Sequence, residues 1–264
     1  MPHRDGVAAE HGFTALYPAR GGGVGAVWLD GRKYASNAAG AVHEMMLAHT
    51  TVAPDGSLAA EDVLDSRICD CCQTSLAIAS SGPVVVYRDR SDADVRDISI
   101  VRQVDGEWED PTVVHADGWT IKACPVNGPA VAANGDHVAV AWFTGARDTA
   151  KVLVAFSSDA GATFAAPTRV DQGNPAGRVD VELDRADAAI VSWIERGSGD
   201  TARVQLRRVG SNGTADEPVT VALASANRAA GFPRMAMRGN ELFLAWTVPG
   251  KPSTIRMARA TLAR

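Results

Sequence analysis

Four cysteines are the residues of this chain best suited to chemistry, and all of them fall in two short segments, Cys69-Asp70-Cys71-Cys72 and Cys124-Pro125. Thiols this close in sequence can pair as disulfides, hold a soft cation as thiolates, or act as nucleophiles. An even cysteine count suits one or two bridges, for instance between Cys124 and a member of the first segment, and three full pairings exist. With an imidazole nearby the same thiolates suit zinc or copper as Cu(I), although Cys-x-Cys-Cys is not the familiar Cys-x-x-Cys pair. A second set of polar residues recurs along the chain as Asp30-Gly31-Arg32, Arg88-Asp89-Arg90, Arg147-Asp148 and Glu195-Arg196. These form either a solvated rim of ion pairs or a polar ligand surface, with Asp30, Arg32, Asp89 and Arg90 as its candidates.

What must position these residues is a repeat. An apolar run ending on an aromatic returns at Trp28, Tyr87, Trp142, Trp193 and Trp246, spaced 59, 55, 51 and 53 residues apart. About eleven residues before each aromatic lies another strand, around Leu16, Leu76, Val131, Val181 and Met235. We name it strand A and the aromatic run strand B. A third segment, C, alternates apolar and polar residues, as in Lys151-Val152-Leu153-Val154, and a short strand D follows, as in Pro111-Thr112-Val113-Val114. The C-to-D turns hold Asp55-Gly56, Asp105-Gly106, Asp159 with Gly161, and Asn212-Gly213, residues that tolerate positive φ. Four-stranded units of near-equal length with one repeated aromatic station predict an all-β fold, a β-propeller, as one domain over residues 1–264. Five repeats are visible. The last unit stops after strand C, so either Val7-Ala8-Ala9 or another upstream segment completes it, or one blade is missing, and the blade number is five or six.

The repeat also places the cysteines. Strands A and B are antiparallel, so strand-A starts and strand-B ends share one face, at the mouth of the central channel. Cys69 and Cys124 each stand 18 residues before their strand-B aromatic, and His11 stands 17 before Trp28. Cys69, Cys71, Cys72, Cys124 and His11 are therefore expected to cluster at that mouth, as candidate ligands for copper or zinc or as a disulfide lock. Trp119, shortly before Cys124, either walls this site or packs between blades. His43, His49, His115 and His137 fall in or beside strands B, C and D and read as surface or half-buried residues. Met45 and Met46 fall on strand C, away from the mouth.

One C-to-D turn reads Ser157-Ser158-Asp159-Ala160-Gly161-Ala162-Thr163-Phe164. It resembles the Asp-box of sialidase-type propellers, and Asp105-Gly106-Glu107-Trp108 resembles a degenerate copy. In that family the box is structural and lies on the face opposite the substrate, so Asp159 is not expected to be catalytic. The resemblance implies a glycan-directed glycoside hydrolase fold, with three arginines gripping a carboxylate, an Asp acid/base and a Tyr nucleophile. Arg178 and Arg234, at strand-A starts, are the arginines it points to. The family's Arg-Ile-Pro motif is absent, and of Tyr17, Tyr34 and Tyr87 the last replaces a strand-B Trp and reads as core. A small molecule or glycan is the expected ligand, without a complete catalytic set for hydrolysis. A non-catalytic interaction scaffold with a disulfide-locked mouth is the reading from another class.

Composition bounds the rest. Hydrophobic residues make up 46% of the chain, enough for a core. A net charge of -5 with scattered arginines argues against nucleic-acid binding. No run approaches the roughly 18 apolar residues of a membrane span. The N-terminus Met1-Pro2-His3-Arg4-Asp5-Gly6 has no signal-peptide core, so an export signal would lie upstream of it; the cysteines favour a periplasmic or extracellular location. Nothing in the sequence indicates an oligomeric state.

Overall fold

A computed structural model describes residues 3–36 and 43–262. They form five antiparallel sheets in chain order. The first contains β1 (His11–Pro18), β2 (Val24–Asp30), β3 (Met45–Val52) and β4 (Asp62–Ile68). The second contains β5 (Ser75–Ile78), β6 (Pro83–Arg88) and β7 (Ile98–Val104), with β8 (Glu107–Trp108) and β9 (Thr112–His115) both pairing with β7. The third runs through β10 (Ala130–Asn134), β11 (His137–Thr144), β12 (Lys151–Ser157) and β13 (Thr168–Arg169). The fourth is β14 (Pro175–Leu183), β15 (Ala189–Arg196), β16 (Thr201–Val209) and β17 (Val219–Ser225). The fifth has three strands among the described residues, β18 (Arg234–Arg238), β19 (Glu241–Val248) and β20 (Thr254–Thr261). Val7, Ala8 and Ala9 lie in no strand, so they do not complete that sheet.

The first strand of each sheet packs on the next: β1 on β5, β5 on β10, β10 on β14 and β14 on β18. The result is an all-β, propeller-like arrangement. The second strands β6, β11 and β15 read as continuous apolar runs because both their faces are covered, whereas β19 alternates buried and half-buried residues and packs through one face. In β6, Val84 and Val86 pack toward Val138, Val140 and Trp142 of the third sheet, while Val85 and Tyr87 pack toward Leu29 and Leu47 of the first. Between the third and fourth sheets the core is Ala139, Ala141, Val179, Val191 and Trp193. Between the fourth and fifth it is Ile190, Ile194, Leu242, Leu244 and Trp246.

Burying an aromatic with a polar tip demands a partner for that tip. Four of the five repeated aromatics find a carboxylate. Trp28 donates to Asp30 at 3.0 Å, Tyr87 to Asp65 at 2.6 Å, Trp142 to Asp117 at 2.7 Å and Trp193 to Glu195 at 2.5 Å. Three turns after the third strand share a second device, in which one side chain accepts both the amide and the hydroxyl of a residue further on. Asp55 grips Ser57, Asp159 grips Thr163 and Asn212 grips Thr214. In the 157–164 turn Ser157 Oγ also accepts the Gly161 amide at 2.9 Å, Gly161 adopts φ +82°, and Phe164 packs against the core between the second and third sheets.

Met45 and Met46 lie buried at the start of β3, paired with Ile68 and Asp30, so they sit at the end of the sheet where β2 finishes and the cysteine segment begins, and not away from it as expected. His49, on the same strand, is a core residue: Nε2 is 2.8 Å from the Tyr17 hydroxyl, Nδ1 accepts from the Trp108 indole at 3.2 Å, and burial lowers its pKa. His43 and His137 are exposed and His115 is half-buried.

Candidate functional site

The residues that begin first strands and end second strands meet on one face, and they fall into three groups rather than one. The first group surrounds His11. Its Nε2 is 2.9 Å from Asp5 Oδ2 and 3.5 Å from Asp30 Oδ1, its Nδ1 is 3.0 Å from Ala9 O, and its ring stacks on His3 with centroids 3.8 Å apart. Arg32 donates to Asp30 through Nε at 2.8 Å and Nη2 at 2.6 Å, and also to Glu61 at 2.6 Å. These bonds raise the Arg32 pKa. Against the penalty of burial, the Val7 amide, His11, His3 and Arg32 hold Asp5 down to about 2. Asp30 is fully buried and already serves Trp28, so this group is a closed ion network. His11 therefore joins His3 and Asp5, not the sulfurs, because the segment before β1 folds back and supplies Asp5 as its partner.

The second group holds the four cysteines, paired as Cys69–Cys72 and Cys71–Cys124 with no free thiol. In this state they offer no thiolate to copper or zinc. The Cα atoms of Cys71 and Cys124 are 6.2 Å apart across a sequence separation of 53, a loop whose closure removes roughly 4 kcal/mol of unfolded-chain entropy. The same two connections are also joined without covalent bonds. Gln73 donates to Gly128 O at 3.1 Å and accepts the Gly128 amide at 2.9 Å, an approach so close that any side chain at 128 would collide with Gln73 O. Arg88, fully buried, donates to Asn127 O at 2.7 Å, to Phe143 O at 2.5 Å and to Arg96 O. Its guanidinium sits 4.8 Å from the centre of the Trp119 ring, and burial pushes its pKa down to about 9.

Trp119 is a packing residue and not the wall of a site. It is 8% exposed, lies edge-on to Phe143 at 5.6 Å and presses on Gly145, where a Cβ would come within 2.9 Å of the indole. Asp97 fixes it in place by accepting the Gly118 and Trp119 amides. Beside the cysteines, Arg90 donates to Asp94 at 3.1 Å and to Asp70 at 3.3 Å. Asp89 is half-buried and pushed up to about 6 by that burial, against the Arg90 amide it accepts. A cavity of about 410 Å³ opens here, lined by Glu10, Tyr34, Met45 and Asp70.

The third group centres on Arg178. Three backbone carbonyls hold its guanidinium: Asn227 O at 2.8 Å, Ala226 O at 3.1 Å and Gly231 O at 3.3 Å. Its own backbone has φ +58° and its amide donates to Asn127 Oδ1 at 2.7 Å. Burial lowers its pKa, and so do the neighbouring charges of Arg196 and Arg228. Among the described residues no carboxylate pairs with any of these three arginines. Arg234 lies alongside, half-exposed and 3.5 Å from Asp180 Oδ1.

Two residues that the sequence reading passed over continue the line inward. Asp180 accepts the Met235 amide at 2.7 Å, and burial raises its pKa. Glu182, pushed up to about 7 by burial and by the charge of Asp180, lines a cavity of about 470 Å³ between β5, β10, β14 and Gly239. The signal was the alternation Arg178-Val179-Asp180-Val181-Glu182: Asp180 and Glu182, two apart in regularly paired strand, share one side of β14, while the register shift between Gly177 and Asp180 sets Arg178 apart from that alternation.

No family model and no curated protein sequence matches the chain. Solved structures do resemble it. A protein of unknown function from Dyadobacter fermentans shares 13% identity over 96% of this chain and 79% of its own, with a TM-score of 0.59. The Aleuria aurantia lectin, in complex with α-methyl-L-fucoside, shares 10% identity over 93% of this chain and 72% of its own, with a TM-score of 0.58. A GH43_12 protein retrieved from capybara gut metagenome shares 10% identity, with a TM-score of 0.52; it matches 73% of this chain, which spans only 40% of that one. Sialidases and further family-43 glycoside hydrolases also appear, each with a TM-score below 0.5. At such identities the likeness is one of fold: this chain shares its all-β, propeller-like architecture with the Dyadobacter fermentans protein, the Aleuria aurantia lectin and the GH43_12 protein.

Proposed function

We propose that the five sheets are blades about one axis, in a sialidase-like propeller that binds an acidic small molecule or acidic glycan at the face where the first strands begin. The observation that carries this reading is the uncompensated cation at Arg178. Three of its five N–H donors are spent on carbonyls, which orient the fork without neutralising it, and two remain for a ligand. Arg196 and Arg228 add positive charge from the exposed side. A carboxylate, sulfate or phosphate would accept from a planar, fixed guanidinium of this kind. The fold is shared with a fucoside-bound lectin and a GH43_12 protein, which is in keeping with a sugar ligand. Hydrolysis is not part of the proposal, because among the described residues these arginines are not joined by an assembled acid, base and nucleophile.

Glycan-array binding with sialylated, uronate-terminated and neutral oligosaccharides tests it. Binding restricted to acidic glycans and weakened at least tenfold in Arg196→Met with Arg228→Met supports the reading; these exposed residues can be replaced without disturbing the core. Equal binding of neutral and acidic glycans, or none, refutes it. A fluorogenic sialoside assay on the same preparation addresses turnover. Zinc or Cu(I) ligation by Cys69, Cys71, Cys72 and Cys124 is a reading for the reduced protein only. Elemental analysis with a thiol count checks it, and two free thiols or fewer with no metal removes it.

A further inference from the structure

The two disulfides touch. Cys69 Sγ lies 3.9 Å from Cys71 Sγ, so the four sulfurs run without a break in the order Cys124, Cys71, Cys69, Cys72. Exposure falls along that order: Cys124 is exposed, Cys71 half-buried, and Cys69 and Cys72 are 1% and 2% exposed. As staples the two bridges are unequal. Cys71–Cys124 closes a long loop, whereas Cys69–Cys72, three residues apart, constrains very little chain. A weak staple buried against a surface-accessible bridge is placed to exchange with it.

We propose that these bridges form a thiol–disulfide relay that takes two electrons from an external dithiol, frees one exposed thiol (Cys124) and one buried thiol (Cys72), and leaves the surviving disulfide as Cys69–Cys71. A thiolate of the dithiol attacks the exposed Cys124 sulfur, forming a mixed disulfide and releasing Cys71 as thiolate. Cys71 attacks Cys69 Sγ, forming Cys69–Cys71, breaking Cys69–Cys72 and releasing Cys72 as thiolate, which takes a proton. The second thiol of the external partner then resolves the mixed disulfide, leaving oxidised partner and a free Cys124 thiol. In sum the partner loses two electrons and the protein retains one disulfide and gains two thiols. Cys71 stays within reach once its bridge opens, because the Gln73–Gly128 amide pair and the Arg88 bond to Asn127 O hold both connections independently of the sulfur bond. The relay is independent of the acidic-glycan reading, which uses other residues.

Partial reduction of the full chain with one equivalent of dithiothreitol, followed by acid quenching, alkylation and disulfide mapping by mass spectrometry, tests it without any variant. The expected two-electron product carries label on Cys72 and Cys124 and a Cys69–Cys71 disulfide absent before reduction, with labelling of Cys72 increased at least tenfold. A two-electron product in which Cys71 and Cys124 are labelled and Cys69–Cys72 is intact overturns the relay. So does unreacted protein under these conditions, or resting protein with four free thiols and a bound metal.

Discussion

Trp193 donates its indole N–H to Glu195 Oε2 at 2.5 Å, from two positions earlier on the same strand. Both residues are buried, and Glu195 also accepts the Asn174 amide at 2.7 Å. Glu195 accepts the Gln172 amide as well, at 3.5 Å, so Glu195→Ala leaves three donors without this acceptor, and a loss of about 1–3 kcal/mol in urea denaturation is expected. Trp193→Phe in the same background should cost less than the two single losses summed, because the donor has gone with its acceptor.

The contact between Gly145 and Trp119 gives a packing test. A Cβ at 145 would meet Cε2, Cζ2 and Nε1 of the indole at 2.9 to 3.0 Å. Gly145→Ala is expected to destabilise the protein by about 1–3 kcal/mol through overpacking. Trp119→Phe, which lacks those ring atoms, should recover part of the loss. Unchanged thermal midpoints for Gly145→Ala would show that Trp119 is free to move.

Glu182 predicts a pH dependence of defined sign. Its carboxyl is raised from 4.5 to about 7 by burial, so the folded protein holds a proton that the unfolded chain has lost between those values. Stability from this group is greatest below pH 4.5 and declines as pH rises to about 7. Glu182→Gln should therefore raise the denaturation midpoint at pH 8 and alter it little at pH 5.

Asp159 predicts the opposite slope. The Thr163 hydroxyl and Ser157, with turn amides, hold its carboxyl down to about 2 from 3.8. Its contribution is complete above pH 3.8 and fades as pH falls toward 2. Asp159→Ala should cost about 0.5–1 kcal/mol at pH 7, near the lower end for such side-chain-to-amide bonds because the turn is exposed. Wild type and variant should converge as the pH approaches 2.

The middle sheets were legible because β6, β11 and β15 are covered on both faces and must be apolar throughout, which makes the runs around Tyr87 and Trp193 stand out. The fifth sheet has three strands among the described residues, as the stop after its third segment implied, and of the segments offered to complete it Val7 to Ala9 form no strand. The site was legible only in part. Counting from the aromatics put Cys69 and Cys124 at matching stations, and they do share one cluster. The same counting put His11 with them, and there it failed, because a residue's station says nothing of which neighbour offers the better partner; Asp5 is that partner. Trp119 was ambiguous for a related reason, since its burial depends on Arg88 and Phe143 from other strands. Asp180 and Glu182 were readable as alternating charges but were passed over among the apolar residues that share β14.

The covalent link from Cys71 to Cys124 also changes what a protease can do to this molecule. Everything from the start of the second sheet to the threshold of the third hangs between two tied points. A single cut in the exposed turn around Ser91 to Asp94 would produce two fragments that still travel together, and the nicked chain would run as one band until a reductant is added.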